Sequence, residues 1–325
     1  MKAMLVDENK NLVWTDVENP VAKDGEVIVK IYAAALNRAD LLQRQGKYPS
    51  PKGCPEWMGL EISGVVSECG KGVKNWKIGD KVCALLGGGG YAEYVRVKEN
   101  MLMPIPKGLS MEEAAALPEA YATSYLNLFI EGHLKAGQTA FIPAGASGLA
   151  SVAIPMAKAF GARVITSVLS DEVAEKIKNL GADIIINSNA KKVEDVLKAE
   201  EENGNAVNVA MDCLSGETLG KSLPYMAHGG YWIVISTLAG VETNVMLRPL
   251  LTKGLHLAGS MLRNRTPDFK AYILSELVKN VWPKIEDGSI KPSIYKVFPI
   301  KKAAEAHAVL ERGENVGKVV LKVEK

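Results

Sequence analysis

"FIPAGASGLAS", residues 141–151, is the stretch whose reading decides the fold. An apolar segment over 138–142 leads into it, and a helix-like run over 152–160 follows. Strand, tight turn and helix in that order suggest a dinucleotide-binding turn. In such a turn the helix N-terminus offers free N–H groups and a positive dipole end to a pyrophosphate. The three-glycine fingerprint G-x-G-x-x-G is not intact. Aligned on Gly145, its second glycine is Ser147 and its third is Ala150. Gly145 can make the turn, and Gly148 keeps the backbone open one residue later. Ala150 adds a single methyl, and Ser147 supplies a hydroxyl that could bond a phosphate oxygen. The string alone also suits an ordinary strand–helix connection, so its surroundings have to choose.

Downstream the pattern alternates. Strands are expected over 139–143, 163–168, 183–187, 207–212, 231–236 and 255–261. Helices are expected over 148–160, 171–180, 191–201 and 217–226. Six strands with helices between them read as an α/β, doubly wound parallel sheet. Upstream, short β-branched runs over 3–6, 26–33, 64–67, 81–85 and 91–97 are separated by turn residues, which reads as a barrel-like all-β unit. "LLGGGGYAEY" (85–94) reads as a hairpin bend between two of its strands. It is not a phosphate cradle, since no helix and no Gly-Lys-Ser/Thr follow. Ser110 caps a helical run that continues through "AAALPEAYATSYLNLFI". The tail breaks the alternation, with helices over 269–281 and 302–312 and strands over 293–299 and 318–323. It is expected to return to the β-rich part.

Bulk properties narrow the classes. A net charge of +2 with scattered Lys and Arg offers no nucleic-acid footprint. No apolar run reaches the ~18 residues of a membrane span, and the N-terminus lacks an apolar signal region. Four cysteines without a C-x-x-C pair suit reduced thiols in the cytoplasm, each as a small buried residue. The four histidines (133, 228, 256, 307) lack ligand spacing and read as surface or helix-end residues.

Stretches along the whole chain carry a family resemblance: "ALNRADLLQRQGKYP" (35–49), "GLEISGVV" (59–66), "WKIGDKVCALLGGGGYAEYV" (76–95), "LPEAYATSY" (117–125), "AGASGLAS" (144–151), "SMLRNR" (260–265) and "NVGKVVL" (315–321). In this order they resemble the medium-chain dehydrogenase/reductase superfamily in its zinc-free quinone oxidoreductase branch. Within that branch the tumour-suppressor-inducible quinone oxidoreductase group is most similar. The resemblance implies a GroES-like β-barrel catalytic domain (1–120 with 267–325) around a Rossmann domain (121–266), with the active site in their cleft. The family fingerprint A-x-x-G-x-x-G becomes Ala144-x-x-Ser147-x-x-Ala150 here. Zinc-dependent members carry a Cys and a G-H-E where this chain has Asn37 and Gly59-Leu60-Glu61. Neither Asn nor Leu is a normal zinc ligand.

The activity implied is NAD(P)H-dependent hydride transfer to a quinone without metal. An enone or alkenal double-bond reductase is a second reading, and a non-catalytic nucleotide-binding protein on the same scaffold is a third. A homodimer is implied, paired through the last strand of the parallel sheet near 255–260. By family position Asn37 faces the nicotinamide and orients it or the substrate carbonyl, with Asp40 nearby. Asn37 could equally be a turn residue bonding its own backbone. Tyr48 could stack on a quinone or donate to the developing oxyanion, or be only a half-buried loop aromatic.

Thr123 matches a threonine beside the nicotinamide. Ser236 and Thr237, with Ser260 and Leu262, match stretches whose backbone holds its carboxamide. Asn315 matches a contact on the phosphate side. Leu149, Ser167 and Cys213 join Ala144, Gly145, Ser147 and Gly148 in the expected cofactor set. No acid ends the second strand of the sheet, at 166–168, which favours NADPH, with NADH possible. The Lys and Tyr with which the family grips the 2′-phosphate are replaced by Ser170-Asp171-Glu172 and Asn187-Ser188. No residue stands out as a general acid.

Overall fold

A computed structural model describes residues 1–323. Residues 324 and 325, the end of the expected C-terminal segment, lie outside the described residues. The chain forms two compact units. Among the described residues, the first comprises 1–122, 266–288 and 292–323, and the second 123–265 and 289–291.

The first unit begins with the antiparallel pair β1 (Lys2–Val6) and β2 (Leu12–Asp16). Then come β3 (Glu26–Ala35), α1 (Arg38–Arg44), β4 (Glu61–Cys69), β5 (Lys81–Leu85), β6 (Tyr94–Lys98) and β7 (Leu102–Pro104). After α2 (Met111–Ala115), α3 (Pro118–Tyr125) leads out of this unit. The second unit runs β8 (Thr139–Ile142), α4 (Ala150–Ala159), β9 (Arg163–Val168), α5 (Asp171–Ile177), β10 (Ile184–Asn187), α6 (Val193–Glu202), β11 (Val207–Asp212), α7 (Gly216–Ser222), β12 (Met226–Val234), α8 (Leu247–Lys253) and β13 (His256–Gly259). The chain then returns to the first unit through α9 (Pro267–Asn280), α10 (Trp282–Glu286), β14 (Ile294–Pro299), α11 (Ala303–Arg312) and β15 (Lys318–Lys322).

The second unit holds six strands in the order β10-β9-β8-β11-β12-β13, all parallel. The order reverses between β8 and β11, which makes the carboxyl end of β8 the switch point where such sheets bind ligands. Phe141, Ile165, Ala210 and Trp232 fill the sheet, with Leu197 and Leu219 packed on from α6 and α7. The buried Trp232 Nε1 donates to Asp212 at 2.8 Å, and Asp212 also accepts from the N–H groups of Leu214 and Ser215. That carboxylate therefore closes the turn after β11.

In the first unit, seven strands form one sheet in the order β14-β15-β3-β4-β5-β7, with β6 also on β3. β15 lies antiparallel to β3, so the C-terminal strand is an integral part of this sheet. Ala33, Ala35, Ala115, Ala116 and Val320 make a small-residue cluster that lets α2 lie close on the sheet.

Several expectations need correction. The helical run after Ser110 is not continuous. Pro118 has no N–H to give, so α2 ends and α3 starts afresh with Pro118 as its first residue. The α-helix then loosens into a π-helical turn, Leu126–Glu131. The glycine loop is not a hairpin bend, because β5 pairs with β4 and β7 whereas β6 pairs with β3. Instead it lies along residues 57–59. Gly89 N–H donates to Trp57 O at 2.9 Å and Gly90 N–H to Gly59 O at 3.1 Å. His307 is fully buried in α11, not at the surface. Of the cysteines, Cys83 alone is buried; Cys54, Cys69 and Cys213 are partly exposed.

Candidate active site

The turn after β8 starts with a backbone that few residues accept. Ala144 sits at φ +56°, the left-handed region. Gly145 follows with its N–H on the carbonyl of Ser167 at 2.8 Å. A Cβ at Gly145 would come within 2.6 Å of Thr166 Oγ1 and 2.7 Å of Ile177 Cδ1. Thr166 is itself fixed by donating to Ile142 O at 2.5 Å. Only glycine lets β8, β9 and α5 converge here.

The Ser147 hydroxyl accepts from Ala150 N–H at 3.1 Å and so caps α4. Its own proton remains available to an anion. Among the described residues, no acceptor meets the N–H groups of Ala146, Gly148 or Leu149. A pyrophosphate fits this donor set, which pairs unbonded N–H groups with the positive end of a ten-residue helix. Ser167 serves the turn through its carbonyl. Cys213 holds the neighbouring strand end, with Sγ 3.9 Å from Pro143 O.

Beyond β9 the residues are acidic but engaged. The Ser170 hydroxyl caps α5 by accepting from Val173 N–H at 3.3 Å. Asp171 accepts from Asn187 Nδ2 at 3.0 Å, and Glu172 from Lys176 Nζ at 2.6 Å. The Lys176 ammonium holds the Glu172 carboxyl below its ordinary range. Ser188 turns its hydroxyl onto Val168 O. This end of the site presents neutral amides and hydroxyls beside two already partnered carboxylates.

The first unit contains a second polar constellation, closed and buried. The Lys318 ammonium, on β15, lies 2.7 Å from Glu61 of β4. It also donates to Asn37 Oδ1 and to Leu36 O, each at 2.8 Å. Asn37 Nδ2 donates to Glu61 Oε1 at 2.9 Å, and Glu119 N–H at the start of α3 donates to Glu61 Oε2 at 2.9 Å. The Asn37 amide is therefore held on both its atoms. Asn37 N–H donates to Asp40 Oδ2 at 2.8 Å, and Gly59 N–H lies 3.3 Å from Asp40 Oδ1.

Asp40 is completely buried, and that burial raises its carboxyl to about 6. Tyr91 donates to Asp40 at 3.1 Å and stands 3.4 Å from His307 Nε2. Burial keeps His307 neutral, its pKa lowered to about 3. Glu119 is only half-buried. Desolvation, followed by the neighbouring Glu61, raises it to about 7.

The remaining expected residues are placed as follows. Tyr48 is half-buried in the loop after α1. Thr123 lies on α3, four residues after Glu119, and its carbonyl accepts from Asn127 Nδ2 at 2.7 Å. Ser236 accepts through its carbonyl from the Ser215 hydroxyl, and Thr237 is exposed beside it. Ser260 N–H extends the β12–β13 ladder onto Val234 O, and Leu262 buries its side chain. Asn315 is buried, its amide donating to Gly317 O at 2.8 Å. Sequence reading missed Glu119, Lys318, Tyr91 and His307. Lys318 lies 281 residues from Asn37, so spacing could not reveal the pair. His307 had a signal, the i, i+3, i+4 face of Ala303, Ala306 and His307.

Comparison with known proteins agrees with this anatomy. Residues 23–107 match the alcohol dehydrogenase GroES-like domain and residues 148–279 the zinc-binding dehydrogenase family. The quinone oxidoreductase of Sus scrofa is 28% identical over 94% of this chain and 92% of its own. A quinone oxidoreductase-like protein 2 homolog of Nematostella vectensis is 32% identical over 91% of this chain and 81% of its own. Among solved structures, the Thermus thermophilus quinone oxidoreductase, described with its NADPH complex, superposes with a TM-score of 0.83. It is 28% identical and covers 99% of this chain and 100% of its own. JamJ enoyl reductase superposes with a TM-score of 0.87 at 25% identity, covering 99% of both chains. With a GroES-like sheet, a parallel nucleotide-binding sheet and whole-length relatives of this kind, the chain belongs to the quinone oxidoreductase branch of the medium-chain dehydrogenase/reductase superfamily.

Proposed function

We propose that the protein is an NAD(P)H-dependent quinone reductase that works without a metal. The observation that carries this reading is the Lys318 ammonium bonded by Asn37 and Glu61. In zinc-dependent relatives the family resemblance puts ligand positions where this chain has Asn37 and the 59–61 stretch. Here those side chains solvate a cation of the protein's own, and among the described residues no three His, Cys, Asp or Glu side chains assemble into a metal site. On this metal-free reading the acceptor has to be electron-poor already, as a quinone is.

The turn at residues 144–149 would hold the pyrophosphate of a nicotinamide dinucleotide, which supplies the hydride when bound. Tyr48 and Thr123 are our candidates for contacts to the ring and the acceptor. Asp40 and Asn37 act as positioning residues, since Asp40 is buried and the Asn37 amide is engaged. Ser236, Thr237, Ser260, Leu262 and Asn315 remain candidate cofactor contacts, the first four through their backbone.

The discriminating assay follows NAD(P)H oxidation with a naphthoquinone, a phenanthrenequinone and an acyclic enone. Quinone turnover well above enone turnover is the expected result. The reverse order would make the protein an enone reductase, a reading favoured by its likeness to JamJ enoyl reductase. Binding of neither nucleotide below millimolar concentration would leave only a non-catalytic scaffold.

Between the two cofactors we propose NADPH. No acid ends β9 to take a 2′-hydroxyl, and Asp171 and Glu172 are both partnered. The cation beside them, Lys176, is spent on Glu172, so D171K, a change of two charges, should tighten NADPH binding about tenfold. NADH binding should change little. Fluorescence titration reads both, and a wild-type Kd far lower for NADH than for NADPH reverses the choice.

We also propose a homodimer. β13 is an edge strand of the parallel sheet, with Leu257 exposed on it and Leu247 and Leu251 exposed on α8. An unpaired apolar edge of this kind invites pairing with a second copy. Gel filtration at micromolar concentration should give the dimer; monomer alone would refute this.

A further inference from the structure

We propose that Ser215 is a positioning residue for the nicotinamide half of the dinucleotide: its backbone and its hydroxyl clasp the loop after β12 to the loop after β11. The inference rests on the nucleotide-binding reading of the parallel sheet and deepens it.

The topology decides which half is concerned. A dinucleotide lies across the crevice at the switch point, one mononucleotide on each half of the sheet. The switch point here falls between β8 and β11. The adenosine ribose belongs to the end of the second strand, which is β9. The nicotinamide half therefore belongs to β11, β12 and β13. The loop after β11 borders the crevice, since Cys213 Sγ lies 3.9 Å from the carbonyl of Pro143, the residue before the turn at 144–149.

Beyond the sheet, this loop and the loop after β12 continue as a backbone zipper. Ile235 N–H donates to Asp212 O at 2.8 Å, Leu238 N–H to Cys213 O at 3.2 Å and Ala239 N–H to Leu214 O at 2.8 Å. Ser215 then bridges to Gly240 in the parallel sense. The two segments touch backbone to backbone, for a Cβ on Gly240 would lie 2.9 Å from Gly216 Cα. Thr237, Leu238 and Ala239 are exposed, so these bonds rather than core packing fix their course.

Ser215 closes the zipper in a strained conformation. It sits at φ +58° and ψ −138°, where residues with a side chain are rarely found and glycine is at ease. What serine has and glycine lacks is the hydroxyl, and that hydroxyl donates to Ser236 O at 2.9 Å. Ser215 is buried, and its own N–H is held by the Asp212 carboxylate at 2.9 Å. Strain of this kind persists only where the surroundings over-determine it, and it gathers at ligand clamps. The loop at 236–239 is thus set in place at the carboxyl edge of the sheet before a nucleotide arrives, which lowers the ordering cost of binding.

The test is S215G, which relieves the backbone and removes the hydroxyl. Calorimetric titration compares whichever of NADPH and NADH the wild type binds with the same nucleotide lacking its nicotinamide (2′-phospho-ADP-ribose or ADP-ribose). The Kd of the full nucleotide should rise about tenfold, and that of the truncated one should not change. The melting temperature should stay near wild type, because relief of strain offsets the lost bond. A merely structural serine would move the melting temperature and leave both affinities alone. An unchanged Kd for the full nucleotide in folded S215G, or an equal loss for both ligands, overturns the inference and leaves the nucleotide-binding reading standing. Should S215G not fold, S215A decides, because it removes only the hydroxyl and must show the same selective loss. A wild type that binds neither nucleotide overturns the reading and the inference together.

Discussion

K318M should destabilise the first unit by about 3–5 kcal/mol, the usual loss when one partner of a buried ion pair is removed. Lys318 is 5% exposed in its side chain and Glu61 is 0%. Methionine fills a similar volume, so little of the loss would come from a cavity. What remains is a buried carboxylate facing Asn37 Oδ1 and Leu36 O, all three having lost a donor. At roughly 2–4 °C per kcal/mol for a unit of this size, the melting temperature should fall by about 6–20 °C.

The double variant K318M/E61Q separates charge from packing. Glutamine keeps an oxygen for the Glu119 N–H and removes the orphaned charge. It should recover a large part of the loss, with a coupling of about 2 kcal/mol or more in a double-mutant cycle. Additive effects would mean that the pair is only a surface-like contact. Because the Lys318 bond also orients Asn37, the single variant should raise the KM for the acceptor even at temperatures where it is folded.

This ion pair also marks how far the sequence could be read. The parallel sheet is legible because β11 and its neighbours are short, apolar and bounded by turn residues, and β11 falls on the 207–212 expected for it. β2 escapes notice because Leu12, Trp14 and Asp16 lie on a strand with no fully buried residue, which leaves a weak period. The break between α2 and α3 is announced by Pro118, but the apolar residues on either side hide it.

The site divides the same way. The turn at Gly145 is local chemistry, and its residues can be named from one string. The cluster of Asn37, Glu61, Glu119 and Lys318 joins α1, β4, α3 and β15, and only the pairing of β15 with β3 brings its ends together. Glu119 in a helical "PEAYATSY" looks like an ordinary first-turn acid. Its carboxyl is raised first by burial and then by a carboxylate 58 residues away.

G59A should be strongly disruptive, costing about 4 kcal/mol or more. Two causes add. Gly59 has φ +106°, a conformation that L side chains rarely adopt, and such strain costs of order 1–3 kcal/mol. Its Cβ would also lie 2.5 Å from Gly90 Cα and 2.6 Å from Tyr91 N, and these are backbone atoms that cannot rotate away. The two loop segments there are tied by Gly90 N–H to Gly59 O and Tyr91 N–H to Met58 O, so separating them breaks two bonds at once. Gly72 provides the control. It has φ +85° with nothing within 4 Å of its Cβ, so G72A carries strain without a clash. Denaturant unfolding should therefore place G59A well below G72A, and comparable losses in the two would show that the backbones can part. The consequence reaches the site, because Gly59 N–H and the Tyr91 hydroxyl both bond Asp40, which in turn holds Asn37. A folded fraction of G59A should bind nucleotide normally through the turn at Gly145 yet reduce quinone poorly. That split would assign the glycine contact to positioning the first unit's cluster rather than to the nucleotide-binding sheet.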